Sequence, residues 1–366
     1  MLAWIAAGIF IFMLLSIWLL PHYAVNRMTQ MKCSTYEGCF DMLEEYKVYS
    51  RKQYEALYKE DITIMSHDGL KLCGVYIEQH PQSKRIVILI HGYTAALPWS
   101  AQFLPLFSRL GFNALLIDQR RHGNSEGKYT TFGYKEKYDV QAWVDWVVNR
   151  KGDDCIIGLH GQSLGGGTVL EYIAIHRPQV RFVVADCPYS DLTKLIRHQV
   201  TKLNHMPAWP TMTLVNRLLK RKAGFKMEDV SPIHIIAHSK LPIMFIHGKS
   251  DIFVPTYMSE EMFNIKPGPK QLLLIDKATH GVAYCYDQEL YEAEVTRFVQ
   301  QHVGTYAVLS ESLANRGEYG ELDSYSADNC HTPTPVRHAA CSEMAAQAAT
   351  VSHEDSDNDY DNAPQQ

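Results

Sequence analysis

Apolar and polar residues alternate along this chain in blocks that predict strands followed by helices. Short, continuous apolar runs, typical of strands buried on both faces, recur at intervals of roughly 20–30 residues. These runs cover residues 85–90, 113–117, 155–159, 180–185, 242–248 and 271–275. Apolar residues at helical spacing lie between them, as over residues 134–149. Together the blocks predict βαβ units and an α/β fold with a mainly parallel sheet.

Two segments depart from this alternation. At the front, two β-rich runs flank Asp68-Gly69, which predicts a hairpin and an antiparallel start to the sheet. Between about 190 and 240 no buried strand is visible, and we expect an inserted helical cap within a main domain spanning 61–303. The cap carries a basic cluster at Arg217 and residues 220–222. Such a cluster is typical of a solvated face, with a contact to anionic lipid or substrate as the alternative.

The first 60 residues predict a connection to a membrane. Residues 2–20 are almost wholly apolar, and about 20 such residues span a bilayer as a helix. We therefore predict a transmembrane anchor over 1–22 and a membrane-proximal helical linker over 23–60, which makes the lipid bilayer a partner. A cleaved signal peptide is the rival interpretation, but no Lys or Arg precedes the run and no small-x-small site follows it.

The predicted location is the cell membrane, with a single pass. Arg27 and Lys32 follow the apolar run and nothing basic precedes it. Taken literally, the positive-inside rule places the main domain in the cytoplasm. Two charges are a thin basis for this rule, so the side of the membrane stays open.

Composition narrows the classes of partner. The formal net charge of −5 argues against nucleic acid as the main partner. The eight cysteines form no C-x-x-C pair and show no zinc spacing. From 304 to 366 the chain is acidic and lacks apolar periodicity, which predicts a disordered tail. None of these features decides the oligomeric state.

One stretch carries a recognisable chemical pattern. Gly161-x-Ser163-x-Gly165 lies between the apolar run 155–159 and a helical segment over 168–174. In that context it predicts a nucleophile elbow, a strained strand-to-helix turn that exposes the serine hydroxyl. We expect that glycines flank the serine because the turn leaves no room for larger side chains, rather than for flexibility alone. A simple glycine-rich turn is the alternative.

A serine becomes nucleophilic only with a base in reach, and the base needs a carboxylate to hold its tautomer. In elbow hydrolases these residues follow in the chain order Ser, acid, His. Ser163, Asp251 and His280 meet this order, and each follows a predicted strand. Because the carboxyl ends of parallel strands meet at one edge, where such sheets build their sites, we predict these three as the catalytic residues.

Other residues compete for the acid and the base. Asp186 and Asp191 follow an earlier strand and are rivals for the acid. Several histidines lie at strand ends or in earlier loops and do not fit the expected order. They are His91, His122, His160 and His247.

An acyl-transfer site also needs two backbone donors for the oxyanion. One should be the N–H of Leu164, the residue after the serine. The other should come from the loop that follows the run 85–90, which makes the N–H of Tyr93 our candidate.

With these residues in view, the chain from about Ile62 to about His302 resembles the α/β-hydrolase superfamily. More narrowly, residues 131–139 and 185–190 resemble uncharacterised membrane-anchored bacterial serine hydrolases of the esterase/lipase-like branch. One departure is Arg121, where many relatives carry glycine. The matching motifs are His91-Gly92, Asp118-x-Arg120-x-His122-Gly123-x-Ser125, Gly161-x-Ser163-x-Gly165-Gly166, Asp251 and His280-Gly281.

The resemblance implies an α/β-hydrolase fold with an eight-stranded, mostly parallel sheet, helices on both faces and an inserted cap. It also implies no metal and no organic cofactor. Carried over position by position, it makes Ser163 the nucleophile, His280 the base and Asp251 the orienting acid.

The expected function is that of a membrane-anchored serine hydrolase of carboxylic esters. The apolar N-terminal run and the Met- and Trp-bearing cap favour a lipid-like or acyl-chain substrate over other small molecules. An acyltransferase, or a peptidase or amidase with the same triad, would need the same residues. A non-catalytic scaffold tethered to the membrane is the alternative from another class.

Overall fold

The computed structural model describes residues 2–305, apart from most side chains before residue 19. The tail predicted over 304–366 therefore lies almost wholly outside the described residues, as do most side chains of the anchor predicted over 1–22. No helix among the described residues combines the length and the apolar character needed to cross a membrane. The predicted transmembrane anchor thus gains no support from them.

An eight-stranded sheet forms the centre of the fold. Its strands are β1 (Glu60–Met65), β2 (Lys71–Ile77), β3 (Arg85–Ile90), β4 (Asn113–Ile117), β5 (Ile156–Gln162), β6 (Val180–Asp186), β7 (Ile243–Gly248) and β8 (Lys270–Ile275). Their spatial order is β1-β2-β4-β3-β5-β6-β7-β8. Strand β2 runs antiparallel to β1 and β4, and the other pairings are parallel. The mainly parallel sheet with an antiparallel hairpin at its start is confirmed.

Helices cover both faces of this sheet. They are α1 (Leu2–Gln30), α2 (Tyr36–Glu45), α3 (Arg51–Glu55), α4 (Leu104–Arg109), α5 (Glu136–Lys151), α6 (Leu164–Tyr172), α7 (Leu192–His198), α8 (Ala208–Ala223), α9 (Pro232–Ile236), α10 (Tyr257–Ile265), α11 (Ala283–Tyr286) and α12 (Gln288–Val303). Strand β3 shows the consequence: Val87 and Leu89 enter one apolar core, while Ile86 and Ile88 enter the other. A strand covered twice is apolar at nearly every position, which explains the continuous runs in the sequence.

The segment between β6 and β7 forms the cap. It contains α7, α8 and α9 and, within the part of the chain described, no strand, in agreement with the prediction for about 190–240. Leu195 of α7 and Val215 and Leu219 of α8 enter a third apolar core. Arg217 and Lys220, from the basic cluster of α8, are exposed to solvent.

Helices α2 and α3 lie in the segment predicted as a linker. The hydroxyl of Thr35 caps α2 by accepting a hydrogen bond from the N–H of Gly38 at 3.1 Å. Cys39 and Leu43 of α2 are fully buried, in the same core as Leu89 of β3. These helices are therefore packed elements of the domain, which the sequence pattern did not indicate.

Candidate active site

The turn between β5 and α6 places Ser163 at the edge of the sheet. Its backbone has φ +53° and ψ −111°, a sparsely populated conformation for a residue with a side chain. A Cβ on Gly161 would lie 2.2 Å from the carbonyl oxygen of Gly165, and a Cβ on Gly165 would lie 2.3 Å from that of Ile90. The expectation that both glycines are present for lack of room is confirmed.

Three side chains predicted as catalytic meet at this edge. The Oγ of Ser163 lies 2.7 Å from Nε2 of His280, and Nδ1 of His280 lies 2.7 Å from Oδ2 of Asp251. Because a carboxylate only accepts hydrogen bonds, Nδ1 of His280 carries a proton. Nε2 then carries no proton and can accept that of the serine hydroxyl. This is the geometry that nucleophilic activation of a serine requires.

Asp251 is buried, and its carboxylate is fully hydrogen-bonded. Its Oδ1 accepts from the backbone N–H groups of Phe253 and Val254, both at 2.9 Å. Burial favours the neutral acid, but the interactions with His280 and His247 outweigh it and hold the pKa of Asp251 below its usual range. The group that faces the imidazole is therefore an anion.

The carboxylates of the rival acids are hydrogen-bonded to other groups. Asp186 is buried and accepts hydrogen bonds from Nε2 of Gln162 at 3.2 Å and from Oη of Tyr291 at 3.3 Å. Burial raises the pKa of Asp186 to about 6. Asp191 caps α7, where its side chain accepts from the N–H of Lys194 at 2.9 Å. Among the three candidate acids, Asp251 is the one whose hydrogen bond to His280 is described, at 2.7 Å.

Three of the rival histidines are fully buried and are hydrogen-bonded to other groups. Burial lowers the pKa of His91 to about 4, and those of His122 and His160 to about 3. A histidine kept neutral in this way is a structural hydrogen-bonding group. Nε2 of His160, for example, lies 2.8 Å from Oη of Tyr291.

The fourth, His247, belongs to the site, which sequence reasoning missed. Its buried ring places Nε2 at 3.1 Å from Oδ2 of Asp251 and at 2.9 Å from the carbonyl oxygen of Val254. Both are acceptors, so Nε2 is the protonated nitrogen, while Nδ1 lies 2.7 Å from Oγ of Ser259. Its place at the end of β7, four residues before the acid, was the signal available in the sequence.

The two backbone N–H groups expected to face the oxyanion belong to Leu164, directly after the serine, and to Tyr93, in the loop after β3. Leu164 occupies the first position of α6, where backbone N–H groups have no acceptor within the helix. Tyr93 follows Gly92, at which an added Cβ would lie only 3.4 Å from Cβ of Ser163. Among the described residues, neither of these two N–H groups donates a hydrogen bond. Both are therefore available to a negatively charged oxygen.

One group of potential metal ligands overlaps this site. Ligand atoms of Cys187, Asp251 and His280 lie within 4.8 Å of one another. Burial, followed by the charges of Asp186 and Asp251, raises the pKa of the Cys187 thiol well above its usual range. A thiol that keeps its proton is a poor metal ligand, and the other two residues are already bonded to each other.

Comparison with known proteins places the chain in a family. Residues 85–215 match the sequence profile described as alpha/beta hydrolase fold. The uncharacterised protein YqkD of Bacillus subtilis is 30% identical over 249 residues, covering 68% of this chain and 81% of the relative. This chain belongs to the α/β-hydrolase family.

Two further similarities concern an enzyme and a solved structure. This α/β-hydrolase is 26% identical to the thiohydrolase aneE of Aspergillus aculeatus, over 70% of this chain and 98% of that protein. Its structure resembles that of an esterase from Pyrococcus furiosus, with a TM-score of 0.55 and 24% identity. That match covers 70% of this chain and 95% of the esterase, and shows a shared fold.

We predict that His247 positions Asp251. His247→Leu should lower kcat about 10-fold, the equivalent of losing roughly 1.4 kcal/mol from a hydrogen bond to a charged group. His247→Gln should retain most of the activity, because its amide N–H can replace the Nε2–H donor. Steady-state kinetics on an ester substrate would test this pair. Equal losses in the two variants would contradict the assigned role.

We also predict that Asp186→Asn changes how stability depends on pH. The pKa of Asp186 is about 6 in the folded protein, against about 3.9 in an unfolded chain. As pH rises from about 4 to about 6, the unfolded chain loses this proton first, so the raised pKa makes wild-type stability fall.

The asparagine variant lacks that loss. Its Tm minus the wild-type Tm should therefore become more positive between about pH 4 and about pH 7. Thermal unfolding of both proteins over this range is the measurement. A difference in Tm that does not change with pH would be inconsistent with a buried, protonated Asp186.

Proposed function

We propose that this α/β-hydrolase is a serine hydrolase that cleaves carboxylic esters. The observation that carries the proposal is the hydrogen-bonded series Ser163, His280 and Asp251, with both links at 2.7 Å. The series begins at a serine whose backbone conformation is that of a nucleophile elbow. A binding scaffold would have no use for a strained serine in contact with an oriented imidazole.

Each chemical step has a group in place. Oγ of Ser163 attacks the acyl carbon while its proton passes to Nε2 of His280, and Asp251 stabilises the imidazolium that forms. The negative oxygen of the tetrahedral intermediate accepts hydrogen bonds from the N–H groups of Leu164 and Tyr93. When the intermediate collapses, the C–O bond breaks and the leaving alcohol takes the proton from His280.

The second half of the reaction regenerates the enzyme. Water attacks the acyl-serine and gives a proton to Nε2 of His280. A second tetrahedral intermediate forms at the same two N–H groups. Its collapse breaks the bond to Oγ of Ser163, returns the proton to the serine and releases the carboxylic acid.

The comparisons bear on the bond that is cleaved. An oxygen ester is our first candidate, and the fold that this chain shares with the solved esterase from Pyrococcus furiosus accommodates such a reaction. The thiohydrolase of Aspergillus aculeatus favours a thioester as the second candidate, with the same nucleophile and base. An acyl-chain substrate agrees with Phe253, whose ring centre lies 5.1 Å from that of His280 and adds apolar surface beside the base.

We expect a fluorophosphonate probe to label the full-length protein in detergent and to fail with Ser163→Ala. Hydrolysis of p-nitrophenyl esters from acetate to laurate should show an optimum in acyl length. Comparing each oxygen ester with the thioester of the same acyl group would identify the preferred bond. Formation of a new ester in the presence of an added alcohol would reveal acyl transfer.

Two aspartate variants make a matched control. Asp251→Asn should lower kcat about 10⁴-fold, because the amide holds the wrong tautomer of the base. Asp186→Asn, at a position that is also buried but whose carboxylate is bonded to Gln162 and Tyr291, should retain activity. A folded wild-type protein that is neither labelled nor active on any of these esters would exclude the hydrolase.

We further propose that residues 1–22 hold the enzyme at the cell membrane, on a side that stays open. The support is the apolar run over residues 2–20. After alkaline carbonate extraction, the full-length protein should remain with the membranes and a variant lacking residues 2–20 should not. Release of the full-length protein would argue against the anchor.

A further inference from the structure

Helix α1 ends against the domain rather than in solvent. The last four carbonyl groups of a helix have no partner within it and need donors from elsewhere. Oη of Tyr93 lies 2.6 Å from the carbonyl oxygen of Arg27 and 2.8 Å from that of Met28. The N–H of Thr130 donates to the carbonyl oxygen of Thr29 at 3.0 Å. Loops of the domain therefore supply the C-terminal cap of α1.

One side of this helical end is buried. Pro21, Val25 and Thr29 are four residues apart, so they form a stripe along α1, and all three are buried. Val25 enters the apolar core of the cap together with Leu219 of α8. The same end of α1 thus contacts both the cap and the loop that carries Tyr93.

The chain after α1 continues along the same loops. The guanidinium of Arg121 donates to the carbonyl oxygen of Met31 at 2.7 Å, and the N–H of Ser34 donates to that of Thr94 at 2.7 Å. Arg121 has φ +69°, a conformation that favours glycine. Arginine at this position, where the family resemblance leads one to expect glycine, therefore has a use: its side chain holds the segment that follows α1.

The loop held in this way is the one with a proposed role in catalysis. Tyr93 offers its N–H to the oxyanion, while its hydroxyl is bonded to α1. The neighbouring Thr94 has φ +64°, which is unfavourable for a branched residue and persists only where contacts impose it. Burial raises the pKa of Tyr93 above its usual range, so its hydroxyl remains a donor to α1.

We propose that the C-terminal turn of α1 is a positioning element of the active site. By accepting the hydrogen bond from the hydroxyl of Tyr93, it holds the N–H of this residue where the oxyanion forms. The proposal rests on the serine-hydrolase function proposed above. It gives the N-terminal helix a part in the chemistry in addition to any part in anchoring.

The test compares Tyr93→Phe with Tyr172→Phe in the full-length protein. Tyr172 is also buried, and its Oη also bonds a backbone group, the N–H of Arg177 at 3.2 Å, but at the far end of α6. Tyr93→Phe should lower kcat about 10-fold and leave KM within about 2-fold, since misplacing one oxyanion donor costs less than the 10²–10³-fold effect of removing it. Tyr172→Phe should leave both constants unchanged.

A trifluoromethyl ketone inhibitor gives a second readout. Its adduct with Ser163 places an oxyanion in the same position, so its Ki should rise in parallel with the fall in kcat for Tyr93→Phe. A purely structural role for the hydroxyl would lower Tm without this parallel. Wild-type kcat in a folded Tyr93→Phe protein would overturn the inference.

A variant on α1 itself tests the helix rather than the loop. Val25→Ala removes buried contact without touching Tyr93, and should lower kcat about 3-fold at unchanged KM, a small misplacement of the donor. Val295→Ala in α12 removes the same atoms from another fully buried position and should lower only Tm. Absence of wild-type fluorophosphonate labelling would overturn the proposed function, and this inference with it. Labelling with normal kinetics in Tyr93→Phe and Val25→Ala would overturn the inference alone.

Discussion

Lack of space around Ser163 is the constraint on which the rest of the site depends. β5 ends so close to α6 and to the end of β3 that side chains at positions 161 and 165 would collide with backbone oxygens. The chain can leave the strand only through a sharp turn, with a backbone cost of roughly 1–3 kcal/mol. Parallel pairing with β3 on one side and β6 on the other holds β5 against that cost. As a result, the hydroxyl of Ser163 projects from the sheet at the edge where the loops after the strands meet.

A buried anion imposes the second requirement. A carboxylate as enclosed as that of Asp251 would be costly unless donors surrounded it. Its donors come from three places along the chain: the end of β7, the loop after β7 and the loop after β8. Because β7 and β8 are adjacent and parallel, their ends bring these groups together without any special local sequence. The same neighbours that satisfy the charge also fix the tautomer of His280.

The sheet could be predicted from sequence, and so could the meeting of Ser163, Asp251 and His280 at one of its edges, because both depend on local patterns. A strand covered on two faces is apolar throughout, and the order of serine, acid and histidine follows from the order of the strands. The position of His247 was visible, but its bond to Asp251 required knowing how the loop folds back. No pattern in the sequence indicates the packing of α2 or the contact of Tyr93 with α1. They join residues far apart in the sequence, and the α1 contact uses backbone oxygens, which are the same at every position.

Helix α1 is continuous from Leu2 to Gln30. At about 1.5 Å per residue, the part before Pro21 is roughly 28 Å long. A flexible tether of that length would let the domain rotate freely. A rigid helix that is fixed to the domain at one end instead makes the orientation of the domain follow that of the helix. Whatever holds the far end of this helix would also set the direction in which Ser163 faces its surroundings and its distance from them. Access to Ser163 would then be selective by geometry, because only molecules that arrive from one side and at one distance could reach it.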